Sequence, residues 1–480
     1  MTTFSTLSTA LSSMVAQRAA LDVAGQNVAN ANTVGYTRQR ADMSSVSTAA
    51  SASRFSSGLT VGQGVKVDNV ARLGDIFADA RLHTTTSSTG FLTARAAAFA
   101  RLEATIDEPS DTGVAAQLDT FWSAWQDVAN NPGEAAPGQV LLEAGSAVTA
   151  SIASGYSAVK TQWDETRTQT LALVDQTNAT AKSVAELNTA IRSVVVSGGN
   201  ANELTDKRNV LATQLAELVG GTVRHNEDGS VNVNVGGNPL VSGTTAYGVH
   251  LAGSTTMVGA QSDTPRIAWD RATAGTATLD GGTLAGMVSV LAPAQPDGRG
   301  GMLAEAAARY NEVATQITTA VNAVHATGIT PDGAAGGAFF SLGTDPTTPP
   351  ALAVRVTITA PADIAVADPA TGTADGTRDG SIADAISQLQ HATDGPDAVW
   401  SAFVVDLGVR TQSATLSANV SEKARATAES LQMSGAGVDI DEETVNMLAY
   451  QRAYQGAARV LTAVDEMLDT LINRTGRVGL

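Results

Sequence analysis

The C-terminal stretch IDEETVNMLAYQRAYQGAARVLTAVDEMLDTL carries a single apolar stripe, with no core-forming segment beside it in sequence. Ile440, Met447, Tyr450, Tyr454, Ala457, Leu461, Val464, Leu468 and Leu471 fall on one seam, stepped by threes and fours after a first gap of seven. That spacing aligns them along one helix face. Asp439 or Asp441 suits the cap, and Glu442 and Glu443 fall in the first turn, where the helix dipole favours negative charge. Asn473 and Gly476 supply the stop. The N-terminus mirrors this arrangement: Phe4, Leu7, Leu11, Met14, Leu21 and Val28 form a seam with Arg18 and Gly25 as its weak positions. Two one-striped helices at opposite chain ends satisfy each other only by pairing, which brings both termini to one pole of an elongated molecule. A lone helix pair is marginal in water. The pair is therefore expected to be mobile in the free monomer and to order as subunits stack, with fast amide exchange at 1–30 and 440–473. The alternative is that both seams are ordinary intramolecular core.

Between the ends the period changes twice. Residues 41–70, rich in Ser, Gly and Val, read as extended or loop-rich. Leu92, Phe99, Leu102 and Ile106 mark one helix; Val114, Leu118, Phe121, Trp122, Trp125 and Val128 mark the next. The longest pattern starts at Pro137 and runs through Val148, Trp163, Val174 and Ile191 to Val195, which is about 85 Å if continuous. A further helix, LTDKRNVLATQLAELVGG, turns Leu204, Val210 or Leu211, Leu215 and Leu218 inward and stops at Gly220-Gly221. Alternation then replaces the helical period around the Asp228-Gly229 hairpin signal, with Val231, Val233 and Val235 on one face. Helix returns near 303–326, LAVRVTITAPADIAV reads as a second β patch, 370–381 as loop, and two helical blocks cover 382–432 and 439–473. The fold class is mainly α with a β insertion (α+β): an elongated, coiled-coil-like helical bundle formed by both chain ends, with a β-rich module at the far end. Its division is 1–34 plus 433–480, 35–221 plus 301–432, and 222–300, with the small patch at 351–368.

Composition narrows the function. A formal net charge of −18 repels nucleic acid. With no cysteine there is no disulfide and no thiolate metal site. No run approaches the roughly 18 apolar residues of a membrane span, and Met1–Ala20 lacks a basic n-region. The chain is then cytosolic, or exported by a machine that does not read a Sec signal. His83, His225, His250, His325 and His391 show no ligand spacing, and no nucleotide-binding or nucleophile motif occurs. Neither an enzyme nor a cofactor is expected. Trp122, Trp125 and Trp163 lie on apolar helix faces and read as core rather than a carbohydrate platform.

The N-terminal stripe ends in NVANANTVGYTRQ, where Asn30, Asn32 and Gly35 interrupt the helix and Tyr36 and Arg38 follow. Tyr36, Arg38 and Arg40 are either solvated or placed to touch an adjacent subunit. Residues 19–40 and 437–473 resemble the paired terminal signatures of the bacterial flagellar rod, hook and hook-associated proteins. GYTRQ after Asn-Thr, the LTDKRNVLATQLAELVGG helix and TAVNAVHATGITPDGAAGGAFF at 319–340 place the likeness nearest the hook-associated branch. Val34 stands where that family usually has Pro, which loosens the turn but leaves Gly35-Tyr36 intact.

The resemblance implies a structural subunit at the hook–filament junction, exported unfolded by the flagellar type III apparatus without a cleaved signal. Its implied partners are identical subunits in a ring, the hook protein, a second junction protein, the export apparatus and an export chaperone at the C-terminal helix, with no nucleic acid and no membrane. A hook or distal-rod subunit would share the terminal signatures but would be mostly β between them. A secreted helical adhesin or translocator would need neither seam nor joint.

Overall fold

The computed structural model describes residues 3–46, 62–271, 275–370, 379–470 and 472 of the 480. Helix α1 (Thr3–Asn30) leads into a hairpin of β1 (Gln39–Ser45) and β2 (Val65–Arg72), followed by α2 (Ile76–Ile106), α3 (Val114–Asn130), α4 (Ala135–Val196) and α5 (Asn202–Val219). Strands β3 (Thr222–His225), β4 (Val231–Val235), β5 (Asn238–Ser242) and β6 (Thr245–Ala246) form one antiparallel sheet in sequential order. A second pairs β7 (Val249–Ala252) with β8 (Arg266–Trp269). Then come α6 (Gly282–Leu291), α7 (Met302–His325), β9 (Phe340–Ser341), α8 (Pro350–Ala353), β10 (Arg355–Val356), α9 (Ser381–Ser387), α10 (Pro396–Ala436) and α11 (Ile440–Asp469).

The path follows from contacts far apart in sequence. Helix α2 leads away from the hairpin and α4 returns to it, because Asn200, just past α4, donates to the carbonyl of Val70 at 2.7 Å. Helix α10 lies antiparallel to α2. The Arg410 guanidinium sits 5.3 Å from the Phe99 ring, Ser421 and Thr89 hydroxyls are 2.9 Å apart, and Gln432 donates to Asp79 at 2.7 Å. Two apolar cores result. The distal one gathers Trp122, Trp125, Trp163, Tyr310, Phe339 and Trp400 under α3, α4, α7 and α10. The other packs Val174, Val184 and Leu215 against Val231, Val233, Val235 and Trp269.

Several elements differ from the sequence expectation, each for a local reason. Helix α2 begins well before Leu92, through the poor helix-forming run Thr84–Gly90, because packing on α10 overrides weak propensity. Helix α6 lies inside the 222–300 stretch expected to be β-rich; its ten residues are too few and too uniformly apolar to separate helix from strand by period. LAVRVTITAPADIAV supplies only the end of α8, the two-residue β10 and a single tight turn at Pro361–Asp363, since Pro350 and Pro361 start short turns and donate no ladder hydrogen bond. The loop reading at 370–381 falls largely outside the described residues. Val195 is exposed; of the alternatives Val210 and Leu211 it is Leu211 that packs inward, and α5 also buries Asp206, Arg208 and Ala212. The β module lies beside α4 and α5, on the same side as the hairpin rather than at the far pole. Arg208 donates to the Gly229 carbonyl at 2.6 Å, and the strands follow a helix that has already returned.

Candidate assembly joint

Helices α1 and α11 pack antiparallel, because Asn27 near the end of α1 meets Glu443 in the first turn of α11 at 3.1 Å. Both described ends therefore lie at the same pole. Asp439 caps α11 by accepting from the backbone N–H groups of Asp441 and Glu442. The fully buried residues of α1 are small: Ala10, Ala16, Ala20 and Ala24, together with Asn27, covered by α11 and the hairpin. On α11 they are Glu443, Ala457 and Val464. Of the expected seam, Leu7, Met14, Leu21, Val28, Met447, Tyr450, Tyr454, Leu461 and Leu468 are half-buried flanking residues. Leu11 (55% exposed) and Ile440 (48%) point away from the pairing. The side chain of Phe4 and residue Leu471 lie outside the described residues. The alanine row lets the backbones approach closely, and that turns the larger side chains to the margins.

Where α1 ends, polar groups replace apolar packing. Asn27 is 1% exposed and makes four hydrogen bonds. Its amide donates to Gln39 O (2.8 Å) and Glu443 Oε2 (3.1 Å), and its Oδ1 accepts from Gln39 N (3.0 Å) and Tyr36 OH (2.9 Å). Arg38 reaches Glu443 through Nε at 2.7 Å and Glu442 through Nη1 at 2.6 Å. Burial opposes its charge, but the hydrogen bonds and charges of Glu442 and Glu443 outweigh burial and raise its pKa. The backbone N–H of Arg38 donates to Ala436 O at 2.8 Å, which ties the same residue to the end of α10. One residue earlier, the N–H of Thr37 donates to Asp206 on α5 at 3.1 Å, and Arg72 of β2 pairs with the other oxygen of Asp206. Four helices, α1, α5, α10 and α11, thus meet on the three residues Tyr36–Arg38, and β2 joins them through Asp206.

Gly35 lies in the left-handed region at φ 76°, and a Cβ there would stand 2.2 Å from Val210 Cγ2. Both facts require glycine. Tyr36 is pushed up to about 12, first by burial and then by Asp206, Glu203 and Glu443. It stays a neutral donor to Asn27. Asn30 bonds locally to Gln26 O and Thr33, and Asn32 is exposed in the turn. Arg40 pairs at the surface with Asp42. Within the chain, the partners of Arg38 are the acids that open α11. A cleft of about 570 Å³ beside the joint is lined by Val34, Tyr36, Leu187, Glu203, Val210 and Leu211.

Sequence reasoning missed Asn27, Arg72, Asp206 and the second role of Glu443. The available signal was polar residues on inward helical positions: Asn27 follows the alanines at 16, 20 and 24, and Arg208 shares a face with Ala212 and Leu215. Arg208 is buried and depressed to about 10, by burial and then by Arg72. The histidines are dispersed. His325, fully buried, donates through Nδ1 to Gly337 O at 2.8 Å and accepts at Nε2 from Ala365 N at 2.9 Å, so it is neutral. Among the described residues no group of three or more His, Cys, Asp or Glu is placed to hold a metal, and no helix is long and apolar enough to cross a membrane. The joint fastens the terminal helices, the hairpin, α5 and α10 to one another.

Comparison with known proteins agrees with this anatomy. Residues 99–340 match the family described as flagellar hook-associated protein FlgK helical domain. Residues 7–37 match flagella basal body rod protein, and 432–474 match flagellar basal body rod FlgEFG protein C-terminal. Flagellar hook-associated protein 1 of Bacillus subtilis is 27% identical over 99% of both chains. The protein of the same name from Escherichia coli is 27% identical over 71% of this chain and 60% of its own length. The solved flagellar hook junction protein FlgK from Burkholderia pseudomallei aligns with 74% of this chain and 100% of its own, at TM-score 0.61 and 15% identity, and so shares the fold.

Proposed function

The chain belongs to the flagellar hook-associated protein FlgK family, and from that membership we propose that it is the structural subunit that joins hook to filament, seated on the hook tip as the base for filament growth. The observation that carries this reading is the antiparallel α1–α11 pair locked to the body by Asn27, Arg38, Glu443 and Asp206. Such a pair transmits position from an axial layer to an outer body. Its outward apolar residues, among them Leu11, Val15, Leu448 and Val460, are what stacked identical subunits would cover. The half-buried seam residues from Leu7 to Val28 and Met447 to Leu468 would then be completed by neighbours in a ring.

The predominantly helical body favours this role over that of a hook or distal-rod subunit. Kinship supports the finer assignments: contact with the hook protein below and a second junction protein above, passage through the flagellar export apparatus without a cleaved signal, and an export chaperone on α11. The partner set contains no nucleic acid and no membrane. Its relatives are named for a structural place in the flagellum, which leaves catalysis without a role.

Deleting the gene in the source bacterium tests the reading. Hooks present, filaments absent and flagellin in the medium are expected; absent hooks would favour a rod or hook role, and intact flagella would refute a flagellar one. Leu11→Asp sharpens this result. Leu11 is exposed in the monomer, so the variant is expected to fold normally and fail to assemble. Leu468→Asp, on the half-buried flank, is expected to loosen the helix pair as well.

A further inference from the structure

Both apolar cores rest on α4, and the side chains between them are of another kind. On α4 the distal core ends at Trp163 and the second begins at Val174. Between them α4 buries Thr166 and Thr170, whose hydroxyls donate to the carbonyls of Gln162 and Thr166, each at 2.7 Å. Gln162 donates to Ala98 O at 3.2 Å, which fixes the level on α2. From there α2 presents Thr89, facing Ser421 of α10 across 2.9 Å, and α6 presents Gly286 against α2. At this level four helices touch through methyl, hydroxyl and backbone groups.

Physically, such a layer resists motion less than the cores on either side. Displacement across it uncovers little apolar surface. Hydroxyls bonded to the carbonyl four residues back loosen and bend helices. We propose that this layer is a bending joint, at which α2, α4 and α10 flex and the distal lobe around Trp125 moves as a rigid body against the strand-bearing lobe while both cores stay closed. It lies within the body and is separate from the Gly35 joint.

The absence of cysteine makes the test clean. Spin labels on Thr315→Cys in the distal lobe and Lys182→Cys in the strand-bearing lobe, both exposed positions, report the inter-lobe distance by pulsed dipolar spectroscopy of the full chain. A broad or two-peaked distribution is expected, collapsing to one narrow peak in Thr166→Val/Thr170→Val. A single narrow peak in the parent chain overturns the proposal, whatever the variants do. A broad distribution left unchanged by the valines also overturns it, because the motion would then lie elsewhere. If the valine chain does not fold, Gly286→Ala replaces it: a Cβ there meets Phe91 O at 2.8 Å and Ala94 Cβ at 2.9 Å, wedging the layer, and must likewise narrow or displace the distribution.

Discussion

Around Trp125 the body closes on itself. That indole is fully buried, with the rings of Phe339 and His325 5.2 and 6.1 Å away. Between α1 and α11 the buried side chains are mostly alanines, while Leu11, Val15, Leu448, Val460 and Met467 face outward. Both regions are helical, and they differ in where the large side chains point. The body has the interior of a finished domain, whereas the terminal pair carries the exposed apolar surface of an unfinished one. Its attachment is accordingly polar: Asn27, Arg38, Glu443 and Asp206 hold a fixed geometry without needing a core of their own.

The contrast breaks most sharply at Trp125. Trp125→Ala should cost about 3–5 kcal/mol by denaturant titration of the body, as expected for a large-to-small change in a packed core. An effect below about 1 kcal/mol would mean that the core is looser than its packing implies. Next comes Glu443→Ala, which leaves Arg38 and the Asn27 amide without their carboxylate. A cost of about 2–3 kcal/mol is expected, confined to amide exchange in 3–30 and 440–469, with the main unfolding transition of the body unmoved. Loss of the body transition would show that the two regions are one cooperative unit. Gly35→Ala should cost about 1–2 kcal/mol through its positive φ and the Val210 contact, with partial recovery in Gly35→Ala/Val210→Ala.

The smallest effect is acid sensitivity. His83, His225 and His325 all have pKa values lowered from 6.5, in each case first by burial. The unfolded chain therefore takes up their protons at higher pH than the folded one does. Their stabilisation is complete above 6.5 and is lost as pH falls from there through the folded values. Melting temperature across that window should drop with acid, and a His325→Gln chain should drop less.

The helices were largely legible because their period is set by burial on one face: α3, α4, α5, α7 and α11 lie within a few residues of their sequence assignments. Less legible was what each face meets. Leucine seams at 7–28 suggested leucine packing, yet the close contact belongs to alanines, which read as filler in a chain rich in Ala. The joint was visible as a break at Asn30–Gly35, but its fasteners were not. Arg38–Glu443 and Thr37–Asp206 join residues 405 and 169 apart, and nothing local distinguishes a charge that will be paired from one that will be solvated. Proline-rich apolar stretches such as 349–365 defeat periodicity for a related reason, since turns leave too few residues to show a period.

The separation of the two chain ends has a kinetic consequence. Asn27 and Glu443 lie 416 residues apart, and closing so large a loop in an unstructured chain carries an entropy penalty that no alanine row recovers. Once α2 and α10 have paired, with Gln432 on Asp79, the remaining loop runs only from Asn27 to Asp79 and from Gln432 to Glu443, far shorter than the full separation. The terminal pair is therefore a late folder whose nucleus lies in the body. Substitutions in α1 or α11 should change the unfolding rate of that pair and leave the refolding rate of the body untouched.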